Sequence, residues 1–291
     1  MISYPNVKVN LGLNVLRKRE DGFHDLETLF VPYFDIHDTL EIISGDDYSR
    51  TSAALFAKYG SEPEIVQGIS EDGKLMITIA REDGVDWDPL KDLTAKAYHI
   101  LDRDFNLPAV KIFLEKTSPV GAGLGGGSAD AAFALKMLNE LFSLGLQDEQ
   151  LASYAAELGS DCAFFVYNKP MIGEGRGEVL SFYEVNEIAF GEKDREGKKY
   201  ELKVVVPEDI AVSTADAYRG IKPCMPEITL REALAQPVAE WYKNSLKNDF
   251  EATVFEKYPE LGAIKQSLYD SGAVYAAMSG SGSALFAIYE I

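Results

Sequence analysis

Pro119-Val120-Gly121-Ala122-Gly123-Leu124-Gly125-Gly126-Gly127-Ser128-Ala129 is the stretch whose reading decides the fold. Five glycines fall within residues 121–127, and their backbone entropy argues against a strand or a helix there. Residues 110–114, just upstream, read as a short strand. From about residue 129 to 142, Ala131, Leu135, Leu138 and Phe142 recur at helical spacing. A glycine loop that leaves a strand and opens a helix suits an anion. Its N–H groups can approach the ligand closely, and the helix start adds unsatisfied donors and a favourable dipole. Ser128 at the helix start reads as an N-cap. Asp130, in the first helical turn, reads as an acid that complements the dipole.

Several phosphate-binding patterns fail here. No Lys precedes Ser128, so the stretch is not a Walker loop. Gly121, Gly123 and Gly126 match G-x-G-x-x-G, and Asp148 lies about 20 residues on. A dinucleotide site, however, needs that acid at the end of a second strand, whereas Asp148 opens an amphipathic segment. The protein-kinase strings H-R-D and D-F-G are absent.

Outward from the loop, residues 7–16 alternate, with Val7, Val9, Leu11, Leu13 and Val15 on one face and Lys8, Asn10, Gly12 and Asn14 on the other. That pattern predicts a half-buried strand. Segments 26–31, 38–43 and 74–80 also read as strands. Residues 92–105 read as a helix through Leu93, Ala97, Ile100 and Leu101, and residues 148–158 as another that stops at Gly159. Strands are expected near 170–180, 201–206, 273–278 and 284–289, with a helix near 260–271. Residues 186–200 are rich in charge and read as a surface hairpin. The order is α+β in two domains, 1–165 and 166–291.

Composition narrows the partners. The 291 residues carry a formal net charge of −19, which disfavours nucleic acid and anionic membranes. A local phosphate site with its metal ion can still override that field. No apolar run approaches the roughly 18 residues of a membrane span. The histidines, His24, His37 and His99, lack zinc-ligand spacing. Two cysteines, Cys162 and Cys224, argue for a reducing cytoplasm rather than a disulfide framework.

The full string Pro-x-Gly-x-Gly-Leu-Gly-Gly-Gly-Ser-Ala resembles the phosphate loop of the GHMP kinase superfamily. Val7-Lys8-Val9-Asn10-Leu11 resembles that superfamily's first motif, and Met278-Ser279-Gly280-Ser281-Gly282 its third. The resemblance implies an ATP-dependent small-molecule kinase with Mg²⁺, acting as monomer or homodimer. It also implies an N-terminal ATP-binding domain like the second domain of ribosomal protein S5, with a left-handed crossover, and a ferredoxin-like C-terminal substrate domain. Asp21-Gly22-Phe23-His24, Gly159-Ser160-Asp161, Val212-Ser213-Thr214-Ala215 and Lys247-Asn248-Asp249-Phe250-Glu251 narrow it further. They resemble a branch whose acceptor is a diphosphocytidyl methylerythritol, phosphorylated at its 2-hydroxyl in the non-mevalonate isoprenoid route.

Residue roles follow from that resemblance. Residues Pro119, Val120, Gly121, Ala122, Gly123, Leu124, Gly125, Gly126, Gly127, Ser128 and Ala129 would bind ATP, with Ser128 also a candidate Mg²⁺ contact. Asp161 would be the general base, and Lys8 would support the transferring phosphoryl group and keep Asp161 ionised. Asn10 and Thr214 would contact the cytidyl substrate. Phe23 and Tyr218 would sandwich its cytosine, whose edge His24 would hydrogen-bond. Phe23 stands where the branch usually has Tyr, and Asp92 where it more often has Asn near the nucleotide. Other readings are a kinase of homoserine, mevalonate or a sugar, a non-catalytic nucleotide-binding regulator on the same fold, and a dehydrogenase.

Overall fold

The computed structural model describes residues 1–183, 198–241 and 246–291. In chain order they form β1 (Ile2–Ser3), β2 (Asn6–Lys18), β3 (His24–His37), β4 (Thr39–Ser44), α1 (Ser52–Tyr59), β5 (Ile65–Ile69) and β6 (Leu75–Ala80). Next come α2 (Leu93–Phe105), β7 (Val110–Glu115), α3 (Gly126–Leu141), α4 (Asp148–Leu158), α5 (Cys162–Tyr167), β8 (Met171–Gly175) and β9 (Val179–Phe182). The chain ends with β10 (Tyr200–Val205), α6 (Thr214–Arg219), α7 (Leu230–Leu234), α8 (Glu251–Lys257), α9 (Pro259–Asp270), β11 (Tyr275–Met278) and β12 (Leu285–Glu290). The hairpin expected over 186–200 falls mostly on residues outside those described.

Two compact units emerge, each discontinuous in sequence. Met1–Val7, Tyr33–Val120 and Gly125–Asn168 make the first; Lys8–Pro32, Gly121–Leu124 and Lys169–Ile291 make the second. The sequence suggests a single cut near residue 165, whereas in compactness residues 8–32 and 121–124 group with the C-terminal segment.

In the first unit a five-stranded sheet runs β1-β4-β7-β6-β5. Its β6 and β7 are parallel, with α2 between them in the chain, and its other pairs are antiparallel. Asp92 starts α2 as its N-cap, accepting from the Thr94 N–H at 2.9 Å and hydroxyl at 2.7 Å while its other oxygen accepts from Trp87 Nε1 at 3.1 Å. Helix α3 packs against α2, α4 and α5. Its alanines 129, 131, 132 and 134 are fully buried, which lets neighbouring backbones approach closely.

That helix begins three residues earlier than its apolar pattern predicts. Gly125 caps it in the left-handed conformation (φ 75°), so Gly126 and Gly127 are helical, and Ser128 lies inside the first turn rather than at the cap. Glycine costs little helix propensity in a first turn. Here Gly126 also has no room for a side chain, since a Cβ would lie 2.3 Å from Ser118 Oγ.

The second unit holds a sheet in the order β2-β3-β8-β9 and a three-stranded antiparallel sheet, β10-β12-β11. The single strand expected over 170–180 is two, β8 and β9, because the chain turns at Gly177 (φ 117°). Phe250, Val254, Leu261 and Leu268 on and beside α8 and α9 pack with Ala276, Met278, Leu285 and Ala287 of β11 and β12.

Strand β2 corrects the expectation of a half-buried strand. Its polar face is as buried as its apolar one: Lys8 is 2% exposed, Asn10 3% and Asn14 6%. Buried polar groups are tolerated because they are hydrogen-bonded. Asn10 accepts from Lys8 Nζ at 2.5 Å and donates to Thr28 Oγ1 at 3.1 Å; Thr28 in turn donates to the Gly12 carbonyl.

Both cysteines are free thiols, Cys162 buried and Cys224 exposed. Burial pushes the Cys162 thiol up to about 12, away from the reactive thiolate. Brief iodoacetamide treatment of the native chain should therefore label Cys224 alone. Peptide mapping that found Cys162 labelled before denaturation would contradict this packing.

Candidate active site

Within the glycine loop, Gly121, Gly123 and Gly125 have positive φ while Ala122 and Leu124 do not, so the sign alternates along the chain. Such alternation turns successive N–H groups toward one concavity, the arrangement that holds anions. The carbonyls are occupied elsewhere. Ala122 O accepts from Ala284 N at 3.1 Å, Leu124 O from Lys8 N at 2.9 Å, and Gly123 O from both Lys8 Nζ at 2.9 Å and Ser279 Oγ at 3.1 Å. Among the described residues, no backbone N–H from Gly121 through Ser128 has a hydrogen-bond acceptor. The loop thus offers donors and withholds acceptors, the electrostatic form of a phosphate site. Pro119 and Val120 lead into it, with Val120 exposed, and Ala129 is buried behind it in α3.

Lys8 is no solvated surface lysine. Its ammonium sits among Asn10 Oδ1, the Gly123 carbonyl and the face of Phe30, whose ring centroid is 5.6 Å away. Asn10 also donates its backbone N–H to Ser279 Oγ at 3.2 Å. The first and third motifs and residues 121–124 therefore meet as one hydrogen-bonded cluster within the second unit.

In the first unit, Asp161 occupies the N-cap position of α5 but makes no side-chain capping bond. Its carboxylate is therefore not committed to capping the helix. Ser128 lies beside Cys162, the residue after Asp161.

The residues expected to enclose cytosine, Phe23, His24 and Tyr218, are arranged differently from a Phe23–Tyr218 sandwich. Tyr218 stacks on His24, ring centroids 4.9 Å apart and 22° between planes, and meets Phe250 edge-on at 4.7 Å. Phe23 is 55% exposed and lies beneath the Arg176 guanidinium, 5.2 Å from its centroid. His24, rather than Phe23, faces Tyr218, because the Phe-His pair sits at the start of β3 where neighbouring side chains alternate in direction. Burial lowers the His24 pKa, with Lys18 adding to the effect, so its imidazole is neutral near pH 7 and can serve as donor or acceptor. Thr214, the first residue of α6, shares a 3.2 Å hydroxyl contact with Ser281 of the third motif.

Two groups escaped sequence reasoning. Asn248 donates to the Met278 and Gly280 carbonyls, both at 2.7 Å, and Glu251 accepts from Met278 N at 2.8 Å. Asp249 accepts from Val15 N at 2.7 Å. The Lys247–Glu251 string is thus a brace for the third motif, a role that polar residues beside an apolar core pattern could have signalled. The other is a buried ion cluster. Asp130 does not face solvent at a dipole; it is 1% exposed and pairs with Lys116 at 2.6 Å, which pairs with Asp38 at 2.5 Å. No spacing rule joins residues 38, 116 and 130.

The comparisons with known proteins agree on a class. The family "GHMP kinases N terminal domain" matches residues 92–169, and "GHMP kinases C terminal" matches residues 230–290. Fold and loop therefore define a two-domain α+β GHMP kinase. A 4-diphosphocytidyl-2-C-methyl-D-erythritol kinase of Bacteroides fragilis is 46% identical over 290 residues, covering 100% of this chain and 92% of that protein. Its namesake in Parabacteroides distasonis is 39% identical with the same coverage. A crystal structure of 4-(cytidine 5'-diphospho)-2C-methyl-D-erythritol kinase matches with TM-score 0.70 at 27% identity, covering 99% of this chain and 89% of that one. Homoserine kinase from Cytophaga hutchinsonii shares the fold at TM-score 0.63 but only 17% identity, covering 98% and 85%. The chain belongs to the 4-diphosphocytidyl-2-C-methyl-D-erythritol kinase family.

Proposed function

We propose that the chain transfers the γ-phosphoryl group of ATP to the 2-hydroxyl of 4-diphosphocytidyl-2-C-methyl-D-erythritol, releasing ADP, in isoprenoid precursor synthesis. The observation that carries this reading is the loop at 121–128, whose N–H groups lack acceptors while its carbonyls are turned to other partners. Those donors would hold ATP phosphate oxygens. Phosphoryl transfer asks the protein mainly for positioning and charge stabilisation. Lys8 supplies positive charge for the transferring group, and Asp161 takes the proton of the attacking hydroxyl. Asn10 and Thr214 contact the acceptor.

Mg²⁺ fits as a partner of ATP rather than of a protein cage. Among the described residues no group of three His, Cys, Asp or Glu could hold a metal. Magnesium commonly binds through substrate phosphates, retained waters and one or two protein oxygens, so the Ser128 hydroxyl suffices as the chain's contribution. Bound with ATP, the ion would supply positive charge to the phosphates. The free thiols suit a reducing cytoplasm, and the enzyme works as monomer or homodimer.

ADP release measured with the cytidyl alcohol against homoserine, mevalonate and sugars tests the assignment. Turnover on one of those competitors alone would overturn it. The Tyr218 ring should supply a stacking face for cytosine once His24 turns to the base edge. Such a face is worth about 1–3 kcal/mol, so Tyr218→Ala should raise KM for the cytidyl substrate roughly 5- to 150-fold and leave KM for ATP unchanged. CDP should compete with the substrate and UDP poorly, because the 4-position donor is reversed. Equal inhibition by both would move the cytosine site elsewhere.

A further inference from the structure

The buried cluster Lys116–Asp38–Asp130 lies entirely within the first unit and takes no part in the chemistry above. Lys116 follows β7, Asp38 separates β3 from β4, and Asp130 sits in the first turn of α3. Lys116 Nζ donates to Asp38 Oδ2 at 2.5 Å, to Asp130 Oδ2 at 2.6 Å and to Ser118 Oγ at 3.1 Å. Asp38 also accepts from the Thr117 and Ser118 N–H groups, both at 2.7 Å, and from Ser118 Oγ at 2.6 Å. Isolated charges this deep are expensive, and here each carboxylate is paired with the Lys116 ammonium. Two of its features are more than generic packing. It joins the chain just before the glycine loop (116–118) to the chain just after it (130), and Gly126 leaves no space between these strands of the network, its absent Cβ falling 2.3 Å from Ser118 Oγ and 3.4 Å from Lys116 Nζ.

We propose that Lys116, through Asp130, is a positioning residue for ATP: it fixes the separation between the entry and exit of the glycine loop, and so the spacing of the loop's N–H donors. This rests on the reading of residues 121–128 as the phosphate site. Asp38 secures the entry side, since it holds the two backbone N–H groups that follow Lys116. Asp130 secures the exit side through a single oxygen, its Oδ2; Oδ1 is buried without a hydrogen-bond partner. One arm therefore carries the whole link to α3. An amide at position 130 keeps an acceptor oxygen for Lys116, whereas a methyl group does not.

The test compares Asp130→Ala, Asp130→Asn and Lys116→Arg with the wild-type chain, by calorimetric ATP affinity, steady-state kinetics and Tm. Asp130→Ala leaves the Lys116–Asp38 pair intact and charge-balanced. It should weaken ATP binding and raise KM for ATP roughly tenfold or more, with KM for the cytidyl alcohol unchanged. Asp130→Asn should restore ATP affinity to within about twofold of wild type. Lys116→Arg keeps the charge but places its donors farther out, and should weaken ATP to a similar degree; it serves as the decisive variant if Asp130→Ala does not fold. Normal ATP affinity in a folded Asp130→Ala or Lys116→Arg variant would overturn the inference. So would a fall in Tm with equal losses for ATP and alcohol, the mark of a merely structural role. A wild-type chain that bound no ATP would instead overturn the phosphate-loop reading beneath it.

Discussion

Asp161→Asn should lower kcat by roughly 10²- to 10⁴-fold while leaving KM for ATP within about threefold of wild type. The substitution keeps the size and planarity of the side chain and removes its ability to accept a proton. Two features make it a clean test. Asp161 stands at the N-cap position of α5 without bonding the helix backbone through its side chain, so the amide forfeits no cap. The residues behind it, Cys162 through Val166, are buried and apolar and provide the packing of that segment themselves. A thermal melt of the variant separates any loss of stability from the loss of chemistry. Turnover near the wild-type rate would remove Asp161 from the reaction and leave the hydroxyl proton to solvent.

The second large effect is expected at Gly123. Its φ of +77° is one that an L side chain rarely adopts, and a Cβ there would lie 2.2 Å from the Ser279 carbonyl oxygen and 3.0 Å from Gly282 N. Both obstacles are backbone, so they cannot swing aside as a side chain could. Even Gly123→Ala must push residues 121–124 away from the third motif and break the bonds that turn the Gly123 carbonyl toward Lys8 and Ser279. Strain of about 1–3 kcal/mol for the backbone conformation alone corresponds to roughly 5- to 150-fold in ATP affinity, if the loop yields rather than the fold. Gly121→Ala is the matched control: it shares a positive φ (73°) but meets nothing within 4 Å. A Gly123→Ala chain that binds ATP no worse than Gly121→Ala would show that close approach to Ser279 is unimportant for the cradle.

These contrasts mark what the sequence could convey. Period and punctuation located α2, β7, α4 and the C-terminal strands, because each carries its own apolar stripe or alternation. The loop was legible because five glycines in residues 121–127 have few other uses. The start of α3 was not, since a left-handed Gly125 caps the helix without a side chain and leaves no cap residue to read. Segments α1 and β5 went unseen; α1 buries only Leu55, too little for a stripe. Alternation in β2 showed which residues share a face but not that both faces would be covered. The Lys8 ammonium is held by the Gly123 carbonyl, far away in the chain. The Lys116 cluster was hidden for the same reason, and Asp130 looked like an ordinary first-turn acid until its neighbours in space were known. That His24, not Phe23, lies against Tyr218 depends on the side-chain direction at the start of β3, which no motif encodes.

The double burial of β2 also governs how the chain finds its alignment. A β-strand that slips by one residue turns every side chain to the opposite face. In a strand with one wet face such a slip exposes apolar groups, but β2 has no wet face over Asn6–Val15, so solvent exposure cannot by itself reject the wrong pairing with β3. The polar row does so instead. A shift would carry Lys8, Asn10 and Asn14 in among the side chains that surround Val7, Val9 and Leu11, and the Lys8 ammonium would lose the Asn10 and Gly123 acceptors. An uncompensated buried charge of that kind costs about 3–5 kcal/mol, a large fraction of the stability of an ordinary domain. Besides any chemistry it performs, the buried lysine thus works as a key cut for a single alignment, one that discards misregistered chains as they fold.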